Sequence, residues 1–173
     1  MPEYLEKEVL VLGCGNILLA DDGFGFAVIQ KLNGMKESNP VLNSDKIGII
    51  DAGTGASHFI LSLIDEGTPL KKIIIADIID YGLEPGRLTK LYAKDLPDIP
   101  KYQIDAHDMP LAGMLTDICS KYGVEVVVIG CQYKHMSAPD ICMELSDEVA
   151  ASVDEAAEMV IEELGSWERT QKK

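Results

Sequence analysis

Short runs of apolar, β-rich residues alternate along the chain with stretches in which apolar side chains recur every three or four positions. Val9 to Leu12 predicts a first strand, and Phe24, Val28 and Leu32 then mark one face of a helix ending near Gly34. Ile47 to Ile50 predicts a second strand, closing at "DAGTGAS", after which Phe59, Leu63 and Ile64 recur at helical spacing. "KKIIIADII", residues 71–79, is apolar almost throughout and therefore predicts a central strand buried on both faces. "EPGRLTKLY" follows a turn and predicts an added edge strand. Leu111, Leu115, Ile118 and Tyr122 define a further helix with Pro110 near its start, and "VEVVVIGC" predicts another buried strand. Val149, Val153, Ala156, Val160 and Leu164 form a stripe on a last helix opened by Ser146, Asp147 and Glu148, which suit its positive end.

This alternation predicts a three-layer α/β/α domain around a mostly parallel, twisted sheet of about five strands, one domain over residues 1–173 with a frayed tail at 167–173. Right-handed crossovers favour an order in which strand two lies outside strand one and strand three lies on its other side. Ligands then bind beyond the carboxyl ends of strands one and three, so residues just after Leu12 and Ile75 should face each other across a site.

Composition narrows the functional classes. With 29 acidic against 15 basic residues the net charge is −14, which argues against nucleic acid and against anionic membrane surfaces. The four cysteines, Cys14, Cys119, Cys131 and Cys142, form no C-x-x-C pair, and three lie in apolar runs, so they read as small buried hydrophobes in a reducing cytoplasm. The amino terminus has no cationic start followed by an apolar stretch, and no apolar run is long enough to span a bilayer; no signal peptide and no membrane association are expected.

The crevice itself is marked by "VLGCGNILLADDGFG", residues 11–25, a glycine-rich turn leading to adjacent carboxylates. A dinucleotide fingerprint needs a third glycine three residues after the second, where Leu18 stands, and Asp21 and Asp22 would repel a pyrophosphate. A P-loop is excluded by the missing G-K-[ST]. Asp77, ending the third predicted strand, lies opposite Asp22. Converging carboxylates must be protonated, hydrated or bound to a cation. His107, in "IDAHDMPLAGML", precedes a helix start, a placement that favours the neutral, metal-binding imidazole. Taken singly, each residue has an ordinary alternative as a cap or loop stabiliser; jointly, two carboxylates and an imidazole make an incomplete shell open to water or substrate.

"GCGNILLADDGFG", "DAGTG", "IIIADIID" and "DAHDMPLAGML" together resemble the motifs of the hydrogenase maturation endopeptidases, over essentially the whole chain. Within that family the chain is most similar to the methanogen branch serving the deazaflavin-coenzyme-reducing hydrogenase. The resemblance implies an endopeptidase that removes the C-terminal extension of a nickel-iron hydrogenase large-subunit precursor after nickel insertion, in the cytoplasm. It places the family's metal-contacting and catalytic positions on Asp22, Asp77 and His107, which recognise nickel carried by the precursor. Because the nickel is expected to arrive with the substrate, purified protein is expected to be metal-free or to carry another divalent cation from its buffer. Asn16 and the Gly13–Gly15 turn match the first motif and shape the loop presenting Asp22. Asp51, Gly53, Thr54 and Gly55 match the second, either at the scissile peptide or as a tight turn with Thr54 as a helix cap.

One departure concerns selectivity. Where relatives often carry a proline and an acidic residue after the last core strand, this chain has "GCQYKHMSAPD", which makes Gln132 and Tyr133 candidate substrate contacts and His135 an auxiliary candidate. His58 reads as structural or exposed, and Asp21 and Asp80 as supporting acceptors. No G-x-S-x-G elbow is present and Cys14 has no neighbouring cue for a base, so water is the expected nucleophile. Two alternatives stand beside this reading: a non-catalytic metal-sensing chaperone of the same subunit, and an unrelated layered hydrolase such as a peptidyl-transfer-RNA hydrolase, which the negative charge opposes.

Overall fold

The computed structural model describes residues 3–98, 105–106 and 109–172. Its strands are β1 (Val9–Cys14), β2 (Ile47–Gly53), β3 (Lys72–Ile79), β4 (Leu88–Tyr92), β5 (Asp105–Ala106), β6 (Met109–Pro110) and β7 (Glu125–Gln132). Five of them form one sheet in the order β2-β1-β3-β7-β4, and β5 pairs with β6 in a small ribbon. All pairings in the large sheet are parallel except that of β4, which joins β7 antiparallel at the edge. The strand order reverses between β1 and β3, as right-handed crossovers require.

Alternation along each strand sorts the core into two layers. Val9 and Val11 of β1 and Ile74, Ala76 and Ile78 of β3 pack with α1 (Phe24–Gly34) and α4 (Asp147–Gln171). Leu10, Leu12 and Cys14, with Ile73 and Ile75, face α2 (Ala56–Leu63) and α3 (Leu111–Tyr122). Every residue of β3 is buried, as its unbroken apolar run predicts. Its two polar residues are Asp77, near its carboxyl end, and Lys72, its first residue, which is 3% exposed and donates to Glu163 Oε2 at 2.8 Å.

Several element ends differ from the sequence expectation. α2 buries Ala56, Ile60 and Leu63, while Phe59 is half-buried edge-on to Tyr4 and Ile64 lies past the helix in extended backbone. Tyr122 is exposed because α3 ends there and the chain turns through Gly123 at φ +67°. The expected frayed tail from 167 is instead helical to Gln171, because Trp167 continues the apolar stripe of α4 and is 6% exposed.

Candidate active site

The carboxyl ends of β1, β2 and β3 meet at the strand-order reversal. Leu12 is level with Ile75 and Gly13 with Ala76, so Cys14 and Asp77 follow side by side, and Gly13 is level with Asp51 of β2. A register shift between Gly13 and Cys14 sets Cys14 level with Gly53, and Gly15 then turns at φ +116°. A side chain on Gly15 would meet the Asp22 carbonyl oxygen at 2.1 Å, so only glycine lets the chain fold back so closely. The Gly15 N–H donates to the Gly53 carbonyl at 3.1 Å, tying the first turn to the second motif. The Asn16 N–H donates to Asp22 Oδ2 at 2.9 Å, and Asn16 Oδ1 accepts from the Leu18 N–H at 2.9 Å. Asn16 thus closes the loop that leads to Asp22.

Asp21 and Asp22 lie in a 3₁₀ turn, Ala20–Gly23, that runs directly into α1. Consecutive side chains in such a turn diverge by about 120°, so one crevice cannot receive both. Asp22 is 3% exposed and accepts from the loop on the crevice side. Asp21 is fully buried and points the other way. It accepts from the N–H groups of Lys134 (2.8 Å), His135 (2.9 Å) and Ser146 (2.7 Å) and from the Ser146 hydroxyl (3.0 Å). Burial alone would raise its pKa, but these donors outweigh it and hold the carboxyl below its ordinary value. Ser146 therefore does not cap α4 with its side chain; its hydroxyl is committed to Asp21.

Asp77 is 2% exposed and its Oδ1 accepts from the Ile78 N–H at 2.8 Å. Burial, and then the charge of Asp22, push its carboxyl up to about 8, with the Ile78 N–H offsetting only part of the rise. Two acids therefore share a dehydrated space in which one of them resists ionising, the situation that a cation relieves. Cys14 lies in the same field. Burial, followed by the charges of Asp77, Asp51 and Asp22, drives its thiol well above the usual range, so it is a neutral thiol and not a ready nucleophile.

Not every candidate joins this centre. Among the described residues no group of three or more His, Cys, Asp or Glu side chains is placed to hold a metal, and His107 lies outside the described residues. Asp51 and Thr54 are exposed at the rim with Gly53 half-buried between them, and Asp51 Oδ1 accepts from the Gly53 N–H at 3.1 Å. The N-cap of α2 is Gly55 with no side-chain bond, so Thr54 is not the cap that its position suggested. Gln132 is a correction of another kind. It is 5% exposed, its Oε1 accepts from the N–H groups of Tyr81 (2.8 Å) and Leu83 (3.2 Å), and its Nε2 donates to Asp80 Oδ1 (3.3 Å) and the Tyr133 carbonyl (3.2 Å). Its amide braces the turn after β3 and does not present itself to a substrate. His135 and His58 are exposed, and His135 meets Asp21 through its backbone.

Sequence reading missed Gly25. A side chain there would meet Cys14 O at 2.3 Å, Cys14 N at 2.5 Å and Ala76 O at 2.6 Å, so this glycine lets α1 lie directly on β1 and β3. The signal was available in "DDGFG", a glycine in the first turn of an otherwise apolar helix.

A doubly wound α/β domain with a buried acid pair at its topological switch point defines the class: a layered α/β fold whose crevice, beyond the carboxyl ends of β1 and β3, is lined by carboxyl groups. A family profile described as hydrogenase maturation protease matches residues 26–163. The chain is 46% identical over 159 residues to a Methanocaldococcus jannaschii protein assigned as a hydrogenase maturation protease, covering 92% of this chain and 97% of that one. It is 39% identical over 161 residues to the coenzyme F420 hydrogenase subunit delta of Methanothermobacter thermautotrophicus, covering 92% and 96% respectively. In structure it is similar to the hydrogenase maturating endopeptidase HybD of Escherichia coli, with a TM-score of 0.68 and 24% identity over 92% of this chain and 93% of that one, a likeness of fold. The chain belongs to the hydrogenase maturation proteases, and its relatives include the methanogen branch that its motifs resemble.

Proposed function

We propose that the protein removes the C-terminal extension of a nickel-iron hydrogenase large-subunit precursor once nickel is in place, with Asp22, Asp77 and His107 recognising the nickel that the precursor carries. The observation that supports this most is the convergence of Asp22 and Asp77 at the switch point of a chain belonging to this family. A carboxyl held near 8 by burial and then by a neighbouring carboxylate gains most from a divalent ion, since the ion offsets the lost solvation and the repulsion and displaces the proton. The metal arrives as part of the substrate. Hard oxygen ligands with an imidazole bind a free ion weakly, which suits a site that inspects a loaded subunit and does not keep the ion.

Cleavage then proceeds by addition of water to the scissile carbonyl, with one carboxylate accepting the proton and the leaving amine receiving it as the carbon–nitrogen bond breaks. The neutral thiol of Cys14 supports water over sulfur as the nucleophile. The reaction belongs in the cytoplasm, where the precursor is assembled. No helix among the described residues is long and apolar enough to cross a membrane, and the charge of −14 disfavours nucleic acid as a partner.

The test is to mix the protein with precursor subunit, with and without nickel, and to read the subunit's mass. Loss of the C-terminal extension only from the loaded precursor, abolished by Asp22→Asn and by His107→Ala in folded protein, is expected. Binding of loaded precursor without cleavage would replace the reading by that of a metal-sensing chaperone.

A further inference from the structure

Four large apolar side chains stand in water beside this site. Ile17 and Leu18 are 36% and 39% exposed, and Ile141 and Met143 are 73% and 65% exposed. They come from segments far apart in sequence that are stitched together by backbone. The Cys142 N–H donates to the Leu18 carbonyl at 2.9 Å and the Ala20 N–H to the Cys142 carbonyl at 2.6 Å, making a parallel bridge between Leu19 and Cys142. Ser137 adds a hydroxyl bond to the Leu18 carbonyl at 3.4 Å, and Asp21 fixes the same connection at Lys134, His135 and Ser146. The exposure therefore belongs to a braced surface.

Scattered single apolar residues on a surface need no explanation, but a joined group at the mouth of a site does. Ile17 and Leu18 lie within the loop that the Asn16 N–H closes onto the Asp22 carboxylate, so this apolar pair borders the site. Around the apolar centre stand exposed acids, Asp140 and Glu144 flanking Ile141–Met143, and Asp147 at the start of α4. An apolar centre with an acidic rim fits a folded protein surface that is apolar in the middle and edged with Lys or Arg. Met143, unbranched and polarizable, adapts to such a surface more readily than a β-branched residue would.

We propose that Ile17, Leu18, Ile141 and Met143 form the docking surface for the folded body of the precursor subunit, seating it while Asp22 and Asp77 reach its metal. This rests on the proposed function, and the two are tested apart. The double variant Ile141→Ser, Met143→Ser should keep the wild-type circular dichroism spectrum and melting temperature, since both side chains are in water. Its KM for nickel-loaded precursor should rise by about tenfold or more, with kcat within about twofold of wild type. Leu18→Ser, made separately, should raise KM in the same direction. If wild-type protein does not cleave the precursor, the proposed function fails and the docking surface with it. If wild type cleaves and the variants keep its KM, the docking surface alone is overturned. A wild-type dimer in light scattering that these substitutions dissociate, with KM unchanged, would overturn it in favour of a second copy of the chain.

Discussion

Asp21 and Asp22 are neighbours in sequence that do different work, one bracing a connection and the other facing the crevice, and the difference is measurable. Asp21→Ala strips one acceptor from four donors. Bonds to a buried charge contribute about 1.5–3 kcal/mol, so a loss of about 3 kcal/mol is expected in urea unfolding, with faster hydrogen exchange at His135 and Ser146. Asp77 predicts the opposite sign. Its carboxyl sits at about 8 against an ordinary 3.8, so the folded chain holds this proton more tightly than the unfolded one. The resulting cost is absent below the ordinary value, grows as the pH rises toward 8, and is constant above it. Asp77→Asn, which keeps an acceptor for the Ile78 N–H, should therefore be more stable than wild type at pH 9, by up to about 5 kcal/mol from the size of the shift, and equal to it at pH 3, while losing processing. Thermal unfolding across that range checks it. Asp22 and Asp77 could be nominated in sequence because one follows β1 and the other lies near the carboxyl end of β3, strands whose positions the crossover rules dictate. Asp21 was legible as a supporting acceptor, but the groups it supports were not, since its partners lie more than a hundred residues away.

At the scale of elements, the strands and their order could be read because a buried parallel strand has few alternatives to a continuous apolar run. β4 could be placed at the edge because it follows the turn at Glu84–Gly86 and carries Thr89 and Lys90 among its apolar residues, and its residues are indeed mostly half-buried. How closely the elements approach was signalled only by a glycine in the first turn of α1, without the atoms it meets. α1 rests on backbone atoms of β1 and β3 at Gly25, a consequence of where the helix axis crosses the sheet. Gly25→Ala must push the helix outward or bend the strand, and a loss of about 3 kcal/mol in urea unfolding is expected, although alanine favours helix elsewhere. The segment between β7 and α4 was also opaque. Its order comes from Asp21 and the Leu19–Cys142 bridge, long-range partners that carry no local periodicity.

Across the whole molecule the two ends of the sheet differ in electrostatic character. The carboxyl end gathers acids at the site, whereas the amino end holds a matched network. There, Glu163 accepts from Lys72 (2.8 Å), lies 2.9 Å from Lys90 and accepts from the Tyr92 hydroxyl (3.0 Å). Burial would raise the Glu163 carboxyl, but Lys72, Lys90 and Tyr92 bring it down to about 2. A depressed acid contributes stability that is complete above its ordinary value of 4.5 and is lost as the pH falls toward 2. Glu163→Gln should cost about 2 kcal/mol at pH 7, a figure reduced for partial solvent access, and the difference should shrink steadily below pH 4.5. Cleavage at saturating precursor should be unchanged, because this network lies at the far end of the strands. The Asp21 anchor also constrains how this protein can be re-engineered. Exchanging residues 133–146 alone for those of a paralogue would set the aspartate before Asp22 against foreign donors and tilt Asp22 with it. A functional chimaera therefore has to transplant residues 15–22 and 133–146 together, as one cassette.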